Sequence, residues 1–281
     1  FGRRVGRQAG TGQTHMKRLA IETSTEQLSV AVSARGQVWS HQGPGGAQAS
    51  AGLLAAVHQV LAQAGLALDD IGVMAMGRGP GSFTGLRTAC AVSQGLAFGL
   101  GVGIVPIDTL LALAEEGRHL CAAGLSEAKA VAENAATMPT QPGVGVLASP
   151  NLEGIARFYA VIDARMGQLY TAAYEHRAGL WHTVQEPAVQ NPADFALPLA
   201  WSGQPVWAVG LAQDLLPALD GVALSWVPAH PTASALLRLA DQALAEGAEV
   251  PPALALPLYL RDKVAQTTAE RALAKANATA T

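Results

Sequence analysis

Apolar positions alternate with small or polar ones from Leu19 onward. Leu19-Ala-Ile-Glu-Thr-Ser-Thr and Leu28-Ser-Val-Ala-Val-Ser read as two strands around a short polar loop. Ala34-Arg-Gly-Gln makes a turn, and Val38-Trp-Ser-His continues as a third strand. The period then changes. Over residues 47–64, Leu54, Val57, Leu61 and Ala64 recur at helical spacing, with Leu53, Ala56 and Val60 as a second stripe, and Gly65 closes the helix. A short apolar strand at 71–76 runs into a glycine-rich turn at 77–81. A second helix is predicted over 83–99, a strand at 104–107 and a third helix from Thr109.

The order β-β-β-α-β-α-β-α calls for a mixed sheet with helices packed on it, an α/β arrangement of the actin-like, ribonuclease H-like type. Residues 127–153 are rich in Ala, Pro, Gly and Thr without a period, and are expected to form a poorly ordered insertion. A second unit opens at Phe158-Tyr-Ala-Val-Ile-Asp-Ala-Arg and Gly167-Gln-Leu-Tyr-Thr-Ala-Ala-Tyr-Glu, with a turn at Arg177-Ala-Gly and a helix over 231–245. Its start parallels that of the first unit, so two halves of related topology are expected. The expected division is 16–112 for the first domain, 113–250 for the second and 251–281 for a C-terminal segment with a frayed tail. Residues 1–15 are polar and Arg-bearing and the first methionine is Met16, so 1–15 are expected to be an extension ahead of the native start.

Composition narrows the function. Of 281 residues, 50% are hydrophobic and 14% charged, which excludes a disordered chain. Eighteen Lys and Arg against 21 Asp and Glu leave a net charge of −3, without the basic surplus of a protein that binds nucleic acid unaided. Cys90 and Cys121 are the only cysteines, which suits a reduced, cytoplasmic setting, and no apolar run is long enough to span a membrane.

The string Gly77-Arg-Gly-Pro-Gly-Ser-Phe-Thr-Gly-Leu-Arg lies between a strand and a helix. Its residues Gly77, Arg78, Gly79, Pro80, Gly81 and Ser82 could bring backbone amides close to an anion, or could simply make a tight connection. It lacks the Lys-Ser/Thr of a phosphate-binding P-loop and the spacing of a dinucleotide fingerprint. Glu22, Thr23 and Ser24 after the first strand, with Asp163 as the matching acid of the second half, form a candidate vestigial nucleotide loop. The seven histidines contain no pair four apart, and no Gly-x-Ser-x-Gly elbow is present, so neither a zinc protease motif nor a serine nucleophile is indicated. Gly85, Ala89, Ser93 and Ala97 put small residues at four-residue steps on the second helix. Helix 47–64 is apolar on more than one stripe. Both features fit a protein–protein interface or ordinary internal packing.

Together, Leu19-Ala-Ile-Glu-Thr-Ser-Thr, the glycine-rich string, Gln94-Gly-Leu-Ala-Phe-Gly, Asp163-Ala-Arg-Met-Gly-Gln-Leu-Tyr and Leu258-Tyr-Leu-Arg-Asp-Lys-Val-Ala resemble the TsaB (YeaZ) family over residues 18–265. That resemblance implies a role in forming threonylcarbamoyladenosine beside the anticodon of tRNA. The chain would be the non-catalytic partner of TsaD, with the ATPase TsaE joining the pair and tRNA reached through the complex. ATP and metal are then expected on the partners, with no metal or cofactor here, and a homodimer is an option without the partner. The family usually has Asp where this chain has Glu22. Its pairing helices map onto 47–64 and 83–99, which makes Leu54, Val57, His58, Leu61, Gly85, Ala89, Val92, Ser93 and Leu96 the expected interface. The competing readings are an actin-fold small-molecule kinase and a metalloprotease-like protein.

Overall fold

A computed structural model describes residues 16–123, 154–215 and 224–261. The expectations for 1–15, for the 127–153 insertion and for the tail beyond 265 lie outside these residues. The first half runs β1 (Arg18–Glu22), β2 (Gln27–Ala34), β3 (Gln37–Pro44), α1 (Ala49–Ala64), β4 (Val73–Gly79), α2 (Phe83–Leu100), β5 (Ile104–Asp108) and α3 (Thr109–Ala122). The second runs β6 (Ala156–Arg165), β7 (Gln168–Arg177), β8 (Leu180–Gln190), β9 (Val206–Gly210), β10 (Leu224–Pro228) and α4 (Ala233–Ala245).

Each half builds a five-stranded mixed sheet, ordered β3-β2-β1-β4-β5 and β8-β7-β6-β9-β10. In both, the first three strands pair antiparallel as a meander and the last two join in parallel. The two sheets therefore repeat one topology, as the parallel strand–turn–strand starts imply.

Side-chain size sorts the faces of the first sheet. Leu19, Ile21, Val30 and Val32 point to an outer core under α1 and α2, while Ala20, Ala31 and Ala75 point inward. The small inward face lets α4 lie close against β1, β2 and β4. Meanwhile α3, which follows β5 in sequence, packs on β6, β7 and β9 of the other sheet. Each closing helix thus covers the opposite half. The resulting central core takes in Leu113 of α3, Phe158 and Val209 of the second sheet and Leu236 of α4. The boundary expected at 112/113 falls inside α3, which belongs to both halves by packing.

Local signals explain the ends. Gly65 and Gly101 adopt left-handed φ of 64° and 67° and close α1 and α2 with backbone bonds to the last turn. A 3₁₀ turn at Gly46–Gln48 precedes α1, so the helix starts two residues later than the apolar period suggests. Among the described residues no helix is long and apolar enough to cross a membrane.

Candidate functional site

The glycine-rich string is a junction where three distant pieces of chain meet. β4 continues through Gly79, so Gly77 and Gly79 are strand residues rather than turn residues, with a bulge at Arg78 where the register to β5 shifts. The bulge sends Arg78 to an ion pair with Asp108. Each glycine then clears a specific neighbour. A Cβ on Gly77 would land on the Glu22 carboxylate, and one on Gly85 on the carbonyl of Thr23. At Gly81 it would meet the backbone of Ser24, and at Gly79 it would come 2.9 Å from the carbonyl of Leu258.

Hydrogen bonds lock the same contacts. Ser82 N–H donates to the Ser24 carbonyl at 2.7 Å, and the Thr23 hydroxyl donates to the Gly85 carbonyl at 2.7 Å. Gly79 N–H donates to the Thr109 hydroxyl at 3.1 Å, and Leu258 N–H donates to the Arg78 carbonyl at 2.7 Å. Ser82 caps α2 through the Gly85 amide. The amides of Gly79, Ser82 and Gly85 are therefore committed to the chain itself.

Glu22 sits beneath this junction, fully buried. Its carboxylate accepts from Ser24 N–H at 2.7 Å and from the Thr109 hydroxyl at 3.3 Å. Burial raises its pKa, and the hydrogen bonds from Ser24 and Thr109 only partly oppose that. Asp163, by contrast, is exposed on the β6–β7 hairpin and accepts from Arg165 N–H at 2.7 Å. The two acids differ in burial, and of the two only Asp163 lines the cleft between the halves.

Between the halves lies a cleft of about 560 Å³, lined on one side by Ser24, Glu26 and Thr84 and on the other by Asp163, Arg165 and Leu211. Glu26 and Arg165 form an ion pair across it. The C-terminal segment borders it. Tyr259 packs on Phe83 at 5.5 Å between ring centroids, and Arg87 lies over the Phe83 ring at 3.8 Å and donates to the Tyr259 hydroxyl at 3.3 Å. Glu26, Thr109, Tyr259 and Arg261 were not among the expected site residues. Their weight comes from contacts far apart in sequence, and the only signal was the position of Tyr259 and Arg261 in the Leu258-Tyr-Leu-Arg string.

The expected interface residues divide. Leu54 and His58 face outward on α1. Val57 and Leu61 are buried in the outer core instead, and so are Gly85, Ala89 and Ser93, while Val92 and Leu96 pack half-buried against it. The small-residue stripe of α2 thus faces inward, because Gly85 must approach Thr23 and Ala89 must lie against the sheet. The outward ridge of α2 carries Thr84, Arg87, Ala91, Gly95, Phe98 and Gly99, with Phe98 82% exposed. Beside it, α1 presents Ala51, Leu54, Ala55, His58 and Ala62.

Among the described residues no group of His, Cys, Asp and Glu is arranged to hold a metal ion. Both cysteines are buried; Cys90 donates to the Ala255 carbonyl, and burial pushes the Cys121 thiol up to about 11.

Comparison with known proteins bears on this geometry. A family model described as TsaD, tRNA N6-adenosine threonylcarbamoyltransferase, matches residues 40–127. The tRNA threonylcarbamoyladenosine biosynthesis protein TsaB of Escherichia coli K12 is 32% identical over 260 residues, 89% of this chain and 96% of that protein. TsaB of Bacillus subtilis is 28% identical over 155 residues, 55% of this chain and 53% of the relative. The solved structure of YeaZ from Pseudomonas aeruginosa superimposes with a TM-score of 0.67 at 31% identity, covering 87% of this chain and all of that one.

Proposed function

The chain belongs to the TsaB family, which takes part in the biosynthesis of tRNA threonylcarbamoyladenosine, and from that premise we propose that it is the non-catalytic subunit that binds and activates a TsaD-type transferase. The observation that carries this reading is the outward ridge of α1 and α2. It joins Ala51, Leu54, Ala55 and Ala62 to Ala91, Gly95, Phe98 and Gly99, an apolar, small-residue surface in which Phe98 stands almost free. A Cβ at Gly52, Gly95 or Gly99 would meet nothing within 4 Å, so a partner's backbone could approach closely there. The TsaD-like match spans both helices, and a TsaD partner would bring counterpart helices to the contact. In this reading TsaE joins the pair, ATP and metal belong to the partners, and tRNA is reached through the complex. The reaction would proceed in the cytoplasm.

A kinase reading draws no support from the site. The Glu22 carboxylate is buried away from solvent, and the amides that would cradle a phosphate bond to Ser24, Thr109 and Ser82.

The test mixes the purified chain with a TsaD protein and measures complex mass by light scattering after gel filtration. The parent chain should form a heterodimer. Ala91→Arg combined with Gly95→Arg should abolish it while the melting temperature stays at or above that of the parent chain. A heterodimer that survives both substitutions rules out the α2 ridge, and no complex with the parent chain rules out the subunit role.

A further inference from the structure

The two halves meet in two places of different character. Deep in the molecule they share the apolar layer of α3 and α4, which can act as a pivot. At the cleft rim the pairing of Glu26 with Arg165 spans the gap, but the two side chains are 70% and 69% exposed, and such a pair holds weakly against water and salt. A third connection crosses the same rim. Residues 255–261 leave the flank of α2, where the Ala255 carbonyl accepts from Cys90 and from the Gln94 amide at 3.2 Å each. They pass over the glycine junction, where Leu258 N–H bonds to Arg78 and Tyr259 packs on Phe83. They end on the second half, where Arg261 donates to the Gln168 side chain and reaches the Arg165 carbonyl and the Met166 sulfur at 3.4 Å.

The place Arg261 grips is itself strained. Arg165 and Met166 both hold left-handed backbone, with φ of 64° and 57°, a conformation that side chains with a Cβ rarely adopt. The glycine at 79 lets Leu258 lie against the junction, so the path of the segment is built into the string that marks this chain.

We propose that residues 255–261 form a latch that holds the two halves closed around the cleft, with α2 as its anchor and the β6–β7 hairpin as its catch. Release of Tyr259 and Arg261 lets the halves pivot about the α3/α4 layer and widens the cleft that Glu26, Asp163 and Tyr170 line.

Spin labels placed on the full chain at Thr84→Cys and Leu211→Cys, on opposite walls of the cleft, measure its width. The native thiols of Cys90 and Cys121 are buried and leave the labels selective. The parent chain should give one narrow distance distribution, and Tyr259→Ala with Arg261→Ala should add a longer component while the melting transition stays single. Superimposable distributions in the folded double variant would overturn the latch. If the double variant does not fold, Arg261→Gln alone removes the grip on the hairpin and decides the matter by the same criterion.

Discussion

Gly85 and Gly95 lie on the same helix and have opposite surroundings. A Cβ at Gly85 would land on the carbonyl of Thr23, a backbone atom that cannot swing away, whereas nothing lies within 4 Å of one at Gly95. Gly85→Ala is expected to cost about 3 kcal/mol or more through overpacking. Gly95→Ala should instead stabilise by roughly 0.5–1 kcal/mol, the usual gain of alanine over glycine inside a helix. Urea denaturation of both variants checks the contrast. Glu22 supplies a second residue-level expectation. Burial raises its pKa in the folded chain above the ordinary 4.5, so the folded state binds the proton more tightly than the unfolded one. Its contribution is then fully present below pH 4.5 and is lost as pH rises through the raised value. Glu22→Gln, which stays neutral, should flatten that part of the stability-versus-pH curve, measured by melting from pH 4 upward.

At the scale of the element, α2 carries two stripes with different surroundings. Gly85, Ala89, Ser93 and Ala97 form the inward stripe, and the ridge through Ala91, Gly95 and Phe98 forms the outward one. Small residues recur on both, which is why periodicity alone does not tell the buried stripe from the exposed one. Spacing reports that a close approach occurs; it does not say whether the approaching backbone belongs to this chain. Ala89→Arg or Ser93→Arg is therefore expected to destabilise the monomer by roughly 4 kcal/mol or more, since each forces a charge into a packed core. Ala91→Arg, on the exposed ridge, should stay within about 0.5 kcal/mol of the parent. Thermal melts of the isolated variants separate the two stripes before any partner is added.

For the whole molecule, the joint between the halves centres on Glu115 of α3. Its buried carboxylate accepts from Arg118 at 2.7 Å, from Arg238 of α4 at 2.6 Å and from the Trp181 indole of β8 at 3.0 Å. Burial alone would raise its pKa, but the two guanidinium groups outweigh it and hold the carboxyl below the ordinary range. The sign is opposite to that of Glu22. The stability Glu115 contributes is present above pH 4.5 and is lost as pH falls through the depressed value. Arg238→Met should cost about 2 kcal/mol at pH 7, less than a fully buried pair because Arg238 is partly exposed. That cost should shrink on acidification, as followed by denaturant titration at pH 7 and pH 3.

The sequence by itself determined the elements of the first half, their order and the family, because hydrophobic period, turn residues and the glycine string are local signals; β9 and β10 of the second half came only from the structure. Val57 and Leu61 were legible as apolar helix positions and Gly77 to Gly81 as a close-approach site. The tertiary structure alone decided what each approach was for. Which neighbour each glycine clears, which stripe of α2 faces water, and that α3 and α4 cover opposite sheets all depend on contacts between residues tens to hundreds of positions apart. Such contacts are set by how the layers stack, and no local period records them.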